Sequence, residues 1–275
     1  NDKDKIDKFL QSDGIIMADR CFAGLFVWQE IYNTQYCIDL NVLYFRYSDE
    51  NCIYYAVPLG TKNVKSAIEK IEIEAKKTNC EYQFTNISPL YLKYFSQYDV
   101  YPIRDHFDYV YDSESFINLK GKKLHSKRNF INRFKKEFSG RWKYRDIDFS
   151  NDRDAVYEFA VSRCDENELH AIKKCFEYHE SLGVIGGLLI VDEEIVAFTI
   201  ASPQNPQVMD VMFEKANRDI NGAYQIIANE FAYHNCKEYK YINREEDMGI
   251  EGLRKSKLSY YPLFLTEKYE TICHK

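Results

Sequence analysis

The sequence predicts a mixed α/β protein built from two tandem halves. Its length of 275 residues exceeds the usual size of one domain, so two domains are the default expectation. The hydrophobic fraction of 45% is sufficient for two cores, and the 23 Tyr and 18 Phe favour β-strands. Strand-like and helix-like hydrophobic patterns alternate in both halves. We place the boundary near Asn118, which divides the chain into domains 1–118 and 119–275.

The N-terminal half begins with three short segments typical of strands, at 36–39, 43–47 and 52–57. A helix is predicted at 63–77, because apolar residues recur there at helical spacing. These inward-facing residues are Val64, Ile68, Ile71 and Ala75. The remaining predicted elements are a strand at 81–87, a helix at 89–96, and strands near 100–103 and 107–111.

The C-terminal half has a clearer pattern. Helical periodicity covers 123–138 and 153–182, and Gly183 is the expected C-cap of the second segment. Two apolar runs around the turn at 192–194 predict a hairpin, and 208–213 predicts a third strand. The last predicted elements are a helix opened by Asn221 and Gly222, a strand at 239–243, a helix at 250–257 and a strand at 260–269.

This order of elements is similar to the core of the acyl-CoA N-acyltransferase fold. In that fold the fourth and fifth strands are parallel and are joined by a right-handed helical crossover. The N-terminal half has a similar order of strands and helices. We therefore predict two tandem acyl-CoA N-acyltransferase-like domains with mixed sheets, related by structural repetition.

Composition limits the possible functions. The net charge of −6 disfavours nonspecific binding of nucleic acid or anionic membranes over the whole surface. No apolar run approaches the roughly 20 residues needed to span a bilayer. The eight cysteines are scattered without a C-x-x-C pair, so we expect no structural metal and free thiols in a reducing cytoplasm.

A basic segment at 119–145 stands out in this acidic chain, because it contains eleven Lys and Arg residues and one acid, Glu137. Lys127 lies beside the apolar helix face, where a cation needs an anionic partner. Either a ligand phosphate or an internal carboxylate would serve, and a solvated helix face is the alternative for the segment. The candidate phosphate-binding residues are Lys122, Lys123, Lys127, Arg128 and Asn129.

A polar block at 243–254 follows a predicted strand and precedes a helix. Ligands of open α/β sheets bind at that edge of the sheet. The candidates are Asn243, Arg244, Glu245, Asp247 and Arg254. In the structural alternative, Asp247 caps the helix while Arg244 and Glu245 form a salt bridge. Nearer the boundary, Asp105, Asp108 and Tyr109 are equally compatible with structural and catalytic roles.

Glu214 and Lys215 end a predicted strand and are followed by a loop and a helix. Acyltransferases of this fold bind a pyrophosphate on the amides of that loop, with the signature R/Q-x-x-G-x-G/A. Here Asn221 replaces the first Gly and Asp219 adds a negative charge, which disfavours coenzyme A. The backbone near Gly222 remains a candidate for polarising a carbonyl.

Several of these segments together resemble an uncharacterised bacterial family similar to the C-terminal catalytic domain of phosphatidylglycerol lysyltransferases. The segments are 108–109, 122–129, 213–215, 243–254 and 257–260. The resemblance covers essentially the whole chain and implies a tandem acyltransferase-like fold. In the lysyltransferases, this domain takes an aminoacyl group from aminoacyl-tRNA and gives it to a lipid hydroxyl. Their membrane-spanning part has no counterpart here, so the expected acceptor is either a lipid or a soluble small molecule.

We therefore expect transfer of an activated acyl group, most simply an aminoacyl group from aminoacyl-tRNA, to an amine or hydroxyl. Lys127 and Arg128 would hold donor phosphates. Glu214, Glu245 and Asp247 are the candidates for deprotonating the acceptor. Two alternatives stay open: an acyl-CoA-dependent N-acyltransferase, and a non-catalytic binding module with the same fold.

Overall fold

The computed structural model describes residues 2–78 and 80–274. The helices are α1 (Asp2–Leu10), α2 (Phe22–Val27), α3 (Val64–Ala75), α4 (Ser113–Asn118), α5 (His125–Glu137), α6 (Arg153–Val161), α7 (Glu166–Glu177), α8 (His179–Leu182), α9 (Ala223–Asn235) and α10 (Glu251–Leu258). The strands are β1 (Gln35–Asp39), β2 (Val42–Ser48), β3 (Cys52–Ala56), β4 (Glu81–Thr85), β5 (Val100–Pro102), β6 (Asp108–Asp112), β7 (Trp142–Asp146), β8 (Ile185–Val191), β9 (Glu194–Asn205), β10 (Val208–Ala216), β11 (Tyr241–Asn243), β12 (Phe264–Thr266) and β13 (Tyr269–Thr271).

The chain forms two compact units. The first unit runs to Asp108 and also contains Glu246–Gly249 and the residues from Thr266 onward. The second unit consists of Tyr109–Glu245 and Ile250–Leu265. The units part after Asp108 rather than near Asn118, because β6 pairs with β11 of the second unit. Helix α4 belongs there as well, since Asn229 of α9 donates a hydrogen bond to its Ile117 carbonyl at 2.8 Å.

The first unit contains a four-stranded sheet in the order β1-β2-β3-β4. The first three strands are antiparallel, and β3 and β4 are parallel and joined by α3. The apolar face of α3 is buried as predicted: Val64, Ile68, Ile71 and Ala75 pack with Tyr82 and Phe84 of β4 in one core. A second, two-stranded sheet pairs β13 with β5.

The second unit contains a seven-stranded sheet in the order β12-β6-β11-β10-β9-β8-β7. Strands β8, β9 and β10 are antiparallel neighbours, and β10 and β11 are parallel and joined by α9. This confirms the parallel pair, joined by a helix, that the similarity to the acyltransferase fold predicts. Both units therefore contain three antiparallel strands, a helix and a parallel fourth strand.

All three residues of β11 pair with the first three residues of β10, from Val208 opposite Tyr241 to Asp210 opposite Asn243. Strand β10 continues to Ala216 with pairing to β9 alone. The ends of β10 and β11 therefore leave a gap in the sheet, and the candidate residues Glu214 and Arg244 lie on its two sides.

Helix α9 begins after Gly222, whose φ is +91°. A Cβ at this position would lie 2.9 Å from the carbonyl oxygen of Phe130 in α5. Glycine therefore allows both the left-handed turn and the close packing of α5 against the start of α9.

Three predicted elements differ from the structure. The helix predicted at 89–96 is a shorter 3-10 helix, Pro89–Tyr94. The strand predicted at 260–269 is wrong, because the segment forms β12 and β13, which pair in different sheets. The helix predicted at 153–182 is three helices, since Asp165 caps a new helix by accepting a hydrogen bond from the Glu168 backbone NH at 2.8 Å. Gly183 is the C-cap of the last of these helices, as predicted.

Candidate functional site

The gap between β10 and β11 contains a buried ion pair. The Arg244 guanidinium lies 2.6 Å from the Glu214 carboxylate, and their side chains are only 12% and 10% exposed. Taking two charges out of water is costly, so such a pair persists only where its surroundings hold both partners in place. Burial raises the pKa of Glu214 above its usual value, although Arg244 and Lys257 oppose this rise.

Three aromatic rings surround the Arg244 guanidinium. Its central carbon lies 5.9 Å from the ring of Tyr111, 5.4 Å from Phe116 and 5.3 Å from Tyr260. These contacts stabilise the cation through the negative ring faces and exclude water from the pair. Tyr111 is itself fixed, because its hydroxyl donates to the Lys257 carbonyl at 2.8 Å.

Lys257 adds a second cation at the end of β11. Its ammonium group donates to the carbonyl oxygens of Arg244 at 2.5 Å and Glu245 at 3.2 Å. The side chain is buried and comes from α10. These hydrogen bonds fix the backbone at Arg244. Both acceptors are neutral carbonyl groups, so these bonds do not neutralise the positive charge of Lys257.

Lys127 of α5 is the third cation, and it is 6% exposed. Its ammonium nitrogen lies 4.1 Å from the centre of the Tyr260 ring. No acidic side chain within residues 2–78 and 80–274 forms an ion pair with it, so the internal carboxylate considered as its partner is not found. Burial, together with the positive charge of Arg244, lowers the pKa of Lys127 to about 8.

The cluster formed by Lys127, Glu214, Arg244 and Lys257 therefore combines three basic groups with one carboxylate. The side chains around the cluster are largely buried and aromatic, so its charges are only weakly screened by solvent. Such a site favours an anion or a group that develops negative charge. We call these four residues the basic cluster.

Other predicted residues of the second unit have structural partners. Asn243 is fully buried, and its side chain accepts a hydrogen bond from the Glu245 backbone NH at 3.0 Å. Glu245 has a positive φ of 54°, and its carbonyl accepts from the Tyr109 NH at 3.1 Å. Lys215 pairs with both carboxylate oxygens of Glu168, at 2.7 and 2.9 Å.

The other residues predicted to bind phosphate differ in their exposure and in their contacts. Lys122 and Lys123 are exposed, and the Lys123 ammonium lies 5.3 Å from the Tyr261 ring. Arg128 instead donates to the carbonyls of Leu119 and Gly121, so it closes the loop before α5. Asn129 and Arg254 are partly buried within α5 and α10.

Asp247 belongs to the first unit, where it is fully buried. Its carboxylate accepts hydrogen bonds from Arg104 at 3.2 Å and from the Gly249 backbone at 2.9 Å. It does not cap α10, whose N-cap is Ile250. The structural alternative also predicted a salt bridge between Arg244 and Glu245, but the structure pairs Arg244 with Glu214.

A second buried charge cluster, in the first unit, was missed by sequence reasoning except for Asp108. The Lys268 ammonium lies 2.7 Å from Asp19, 2.8 Å from Asp108 and 3.8 Å from Glu246. Burial alone would lower the pKa of Lys268, but the three carboxylates hold it well above its usual value. Burial raises the pKa of Asp108 to about 6.

This second cluster borders a cavity of about 610 Å³ that is lined by first-unit residues. Five acids and one lysine contribute to the lining, so its charge is opposite to that of the basic cluster. The charged lining residues are Asp19, Asp49, Asp105, Glu246, Glu270 and Lys268. No pattern in the sequence predicts that these residues lie together, because they come from five separate segments of the chain.

Comparisons with known proteins agree with this architecture. Residues 17–271 match the family described as phosphatidylglycerol lysyltransferase, C-terminal. A conserved protein of unknown function from Bacteroides thetaiotaomicron is 34% identical, with a TM-score of 0.90 over 100% of this chain and 97% of that chain. L-PGS from Bacillus licheniformis is 15% identical, with a TM-score of 0.69 over 98% of this chain and 91% of that chain.

A curated relative, an uncharacterised protein of Mycoplasmoides gallisepticum, is 26% identical over 190 residues, which is 65% of this chain. The match spans 61% of that relative's own length. The solved structures confirm the predicted mixed α/β, acyltransferase-like fold. Within the described residues, no helix has both the length and the apolar character needed to cross a membrane.

Proposed function

The chain belongs to the phosphatidylglycerol lysyltransferase C-terminal family, and from this premise we propose that it transfers an aminoacyl group from aminoacyl-tRNA to an amine or hydroxyl acceptor. The observation that carries the proposal is the basic cluster, in which the buried Glu214–Arg244 pair lies at the open ends of β10 and β11. Acyl transfer needs a base for the acceptor and positive charge for the carbonyl oxygen, and this cluster contains both.

Glu214 is the base in this proposal. As the acceptor oxygen or nitrogen bonds to the ester carbonyl carbon, its proton passes to the Glu214 carboxylate. The raised pKa of Glu214 makes it a stronger base than an exposed glutamate. Negative charge then develops on the carbonyl oxygen, where the fixed Arg244 guanidinium stabilises it.

Lys127 completes the transfer. When the ester C–O bond breaks, the ribose oxygen of the tRNA leaves and needs a proton. Lys127, whose pKa is lowered to about 8, donates that proton more readily than an exposed lysine. Glu214 ends protonated and Lys127 ends neutral, and exchange with water restores both groups. The exposed Lys122 and Lys123 are available to bind donor phosphates.

An acyl-CoA-dependent N-acyltransferase is the second candidate, supported by the fold and by the turn at Gly222 before α9. The loop argues against it, because Asp219 and Asn221 are exposed where the family signature has pyrophosphate-binding residues. A lipid and a soluble small molecule remain the two classes of acceptor. A non-catalytic module would bind a donor without consuming it.

Salt dependence of binding tests the donor. Each neutralised RNA phosphate releases condensed counterion, so contact with about five phosphates weakens binding roughly a hundredfold or more between low and physiological salt. Acetyl-coenzyme A has few phosphates and should respond weakly. We expect steep, salt-sensitive binding of aminoacyl-tRNA that Lys123→Met weakens, whereas Lys65→Met on the exposed face of α3 should not. Tight, salt-insensitive binding of acetyl-coenzyme A without binding of tRNA would favour the second candidate.

A further inference from the structure

Two cysteines that are far apart in the sequence meet in the first unit. The sulfur atoms of Cys52 and Cys273 are 3.4 Å apart, and both residues are free thiols. Cys52 begins β3 and is buried, whereas Cys273 follows β13 and is exposed. The pair therefore contains one thiol that solvent can reach and one that is screened from it.

The backbone around Cys273 is held in place on both sides. His274 and Tyr82 exchange two backbone hydrogen bonds, at 2.8 and 2.9 Å. On the other side, the fully buried Thr271 accepts a hydrogen bond from the Phe84 backbone NH at 3.0 Å. These hydrogen bonds fix the backbone on both sides of Cys273, so the short distance between the two sulfur atoms is a property of the folded unit.

We propose that Cys52 and Cys273 form a reversible disulfide when the protein meets a peroxide. A disulfide bond is about 2.05 Å long, so the sulfur atoms must approach by only about 1.4 Å. The bond would join strand β3 to the segment after Thr266. That segment carries Lys268 and Glu270, which line the cavity of about 610 Å³ in the first unit. It would therefore stiffen one wall of that cavity.

The exposure of the two thiols sets the order of the steps. The Cys273 thiolate attacks the peroxide, which breaks the O–O bond and leaves a sulfenic acid and water. The Cys52 sulfur then displaces the hydroxyl group as a second water, so two thiols and one peroxide yield one disulfide and two waters. Burial and the neighbouring Cys273 sulfur raise the pKa of Cys52 to about 12, which keeps it protonated until the second step.

Peroxide treatment of the full chain tests the proposal. After a stoichiometric dose of hydrogen peroxide, the protein is denatured, alkylated and digested, and the peptides are mapped by mass spectrometry. We expect a peptide that links Cys52 to Cys273 within one chain and that dithiothreitol separates. The link should persist in Cys37→Ser and Cys80→Ser, which remove exposed cysteines of the same unit.

Single variants separate the steps. In Cys52→Ser, Cys273 should stop at the sulfenic acid and react with dimedone, and in Cys273→Ser, Cys52 should remain a thiol. The oxidised wild type should melt roughly 5 °C or more above the reduced form, a shift that both variants lose. Oxidation of Cys273 without the link, a link between two chains, or a linked protein with an unchanged melting temperature would each overturn the proposal.

Discussion

The Arg244 guanidinium lies 2.6 Å from the Glu214 carboxylate, across the gap where β10 and β11 cease to pair. Each residue comes from the end of one of these two strands, and neither is more than 12% exposed. A parallel pair that separates after three residues thus creates a position where two opposite charges can be buried together. The pair lies at the carboxyl ends of the strands, which is the edge where open α/β sheets bind their ligands.

Removing one partner of this pair should destabilise the fold. Arg244→Ala leaves the Glu214 carboxylate buried without its partner, at a cost of roughly 3–5 kcal/mol in the free energy of unfolding. Urea unfolding of Arg244→Ala, Glu214→Gln and the double variant measures the coupling, because the double variant should recover most of the loss. Strictly additive losses would mean that the two side chains do not interact.

Lys127 should make stability depend on alkaline pH. Its folded pKa of about 8 lies below the unfolded value, so the unfolded chain binds more protons between about pH 8 and pH 10. Stability from this group therefore increases as the pH rises through that window and is smallest at neutral pH. The wild type should gain about 2 kcal/mol relative to Lys127→Met between about pH 7.5 and pH 9.5. Parallel pH dependences of the two proteins would contradict the lowered pKa.

Lys268 should be essential for the first unit. Lys268→Met leaves Asp19 and Asp108 without the cation between them, so we expect a loss of roughly 3–5 kcal/mol. Lys70→Met is the matched control, because Lys70 pairs with Asp39 on the surface and such pairs contribute about 1 kcal/mol or less. Chemical unfolding of both variants measures the difference, and equal losses would show that the buried cluster is not structural.

The two glycines around the start of α10 should respond in opposite directions. Gly249 has a φ of +73°, and a Cβ there would lie 2.8 Å from the Asp105 carboxylate, so Gly249→Ala should cost about 1–2 kcal/mol. Gly252 has open space within α10, and Gly252→Ala should stabilise the protein by up to about 1 kcal/mol. Thermal melts of the two variants should shift in opposite directions, and equal shifts would refute this difference.

The sequence predicted the parts of the fold that depend on local patterns. The helix at 125–137 and the strands on either side of α9 follow from hydrophobic patterns, whereas the parallel pairing of those strands follows from the similarity to the acyl-CoA N-acyltransferase fold. The segment 260–269 could not be predicted correctly, because its apolar residues do not show which sheet each part joins. Its two strands pair in different units.

The candidate site shows the same limit. Glu214 and Arg244 could be named because each follows a predicted strand, where side chains meet at one edge of the sheet. Asp19 and Lys268 come from opposite ends of the chain, and only the tertiary fold brings them together. Arg128 was predicted to bind phosphate from its position in a basic segment, but that position does not reveal the backbone carbonyls that it contacts.

The most direct test of the proposed function is the discharge of labelled aminoacyl-tRNA in the presence of phosphatidylglycerol vesicles or a small amine. The label in each acceptor is followed for the wild type, Glu214→Gln and the control Glu177→Gln, which alters a partly exposed ion pair at the end of α7. We expect the wild type to move label to one of the two acceptors. The rate of transfer should fall about a hundredfold or more with Glu214→Gln and should stay at the wild-type value with Glu177→Gln. Equal discharge by the wild type and Glu214→Gln, or transfer from acetyl-coenzyme A alone, would contradict the account.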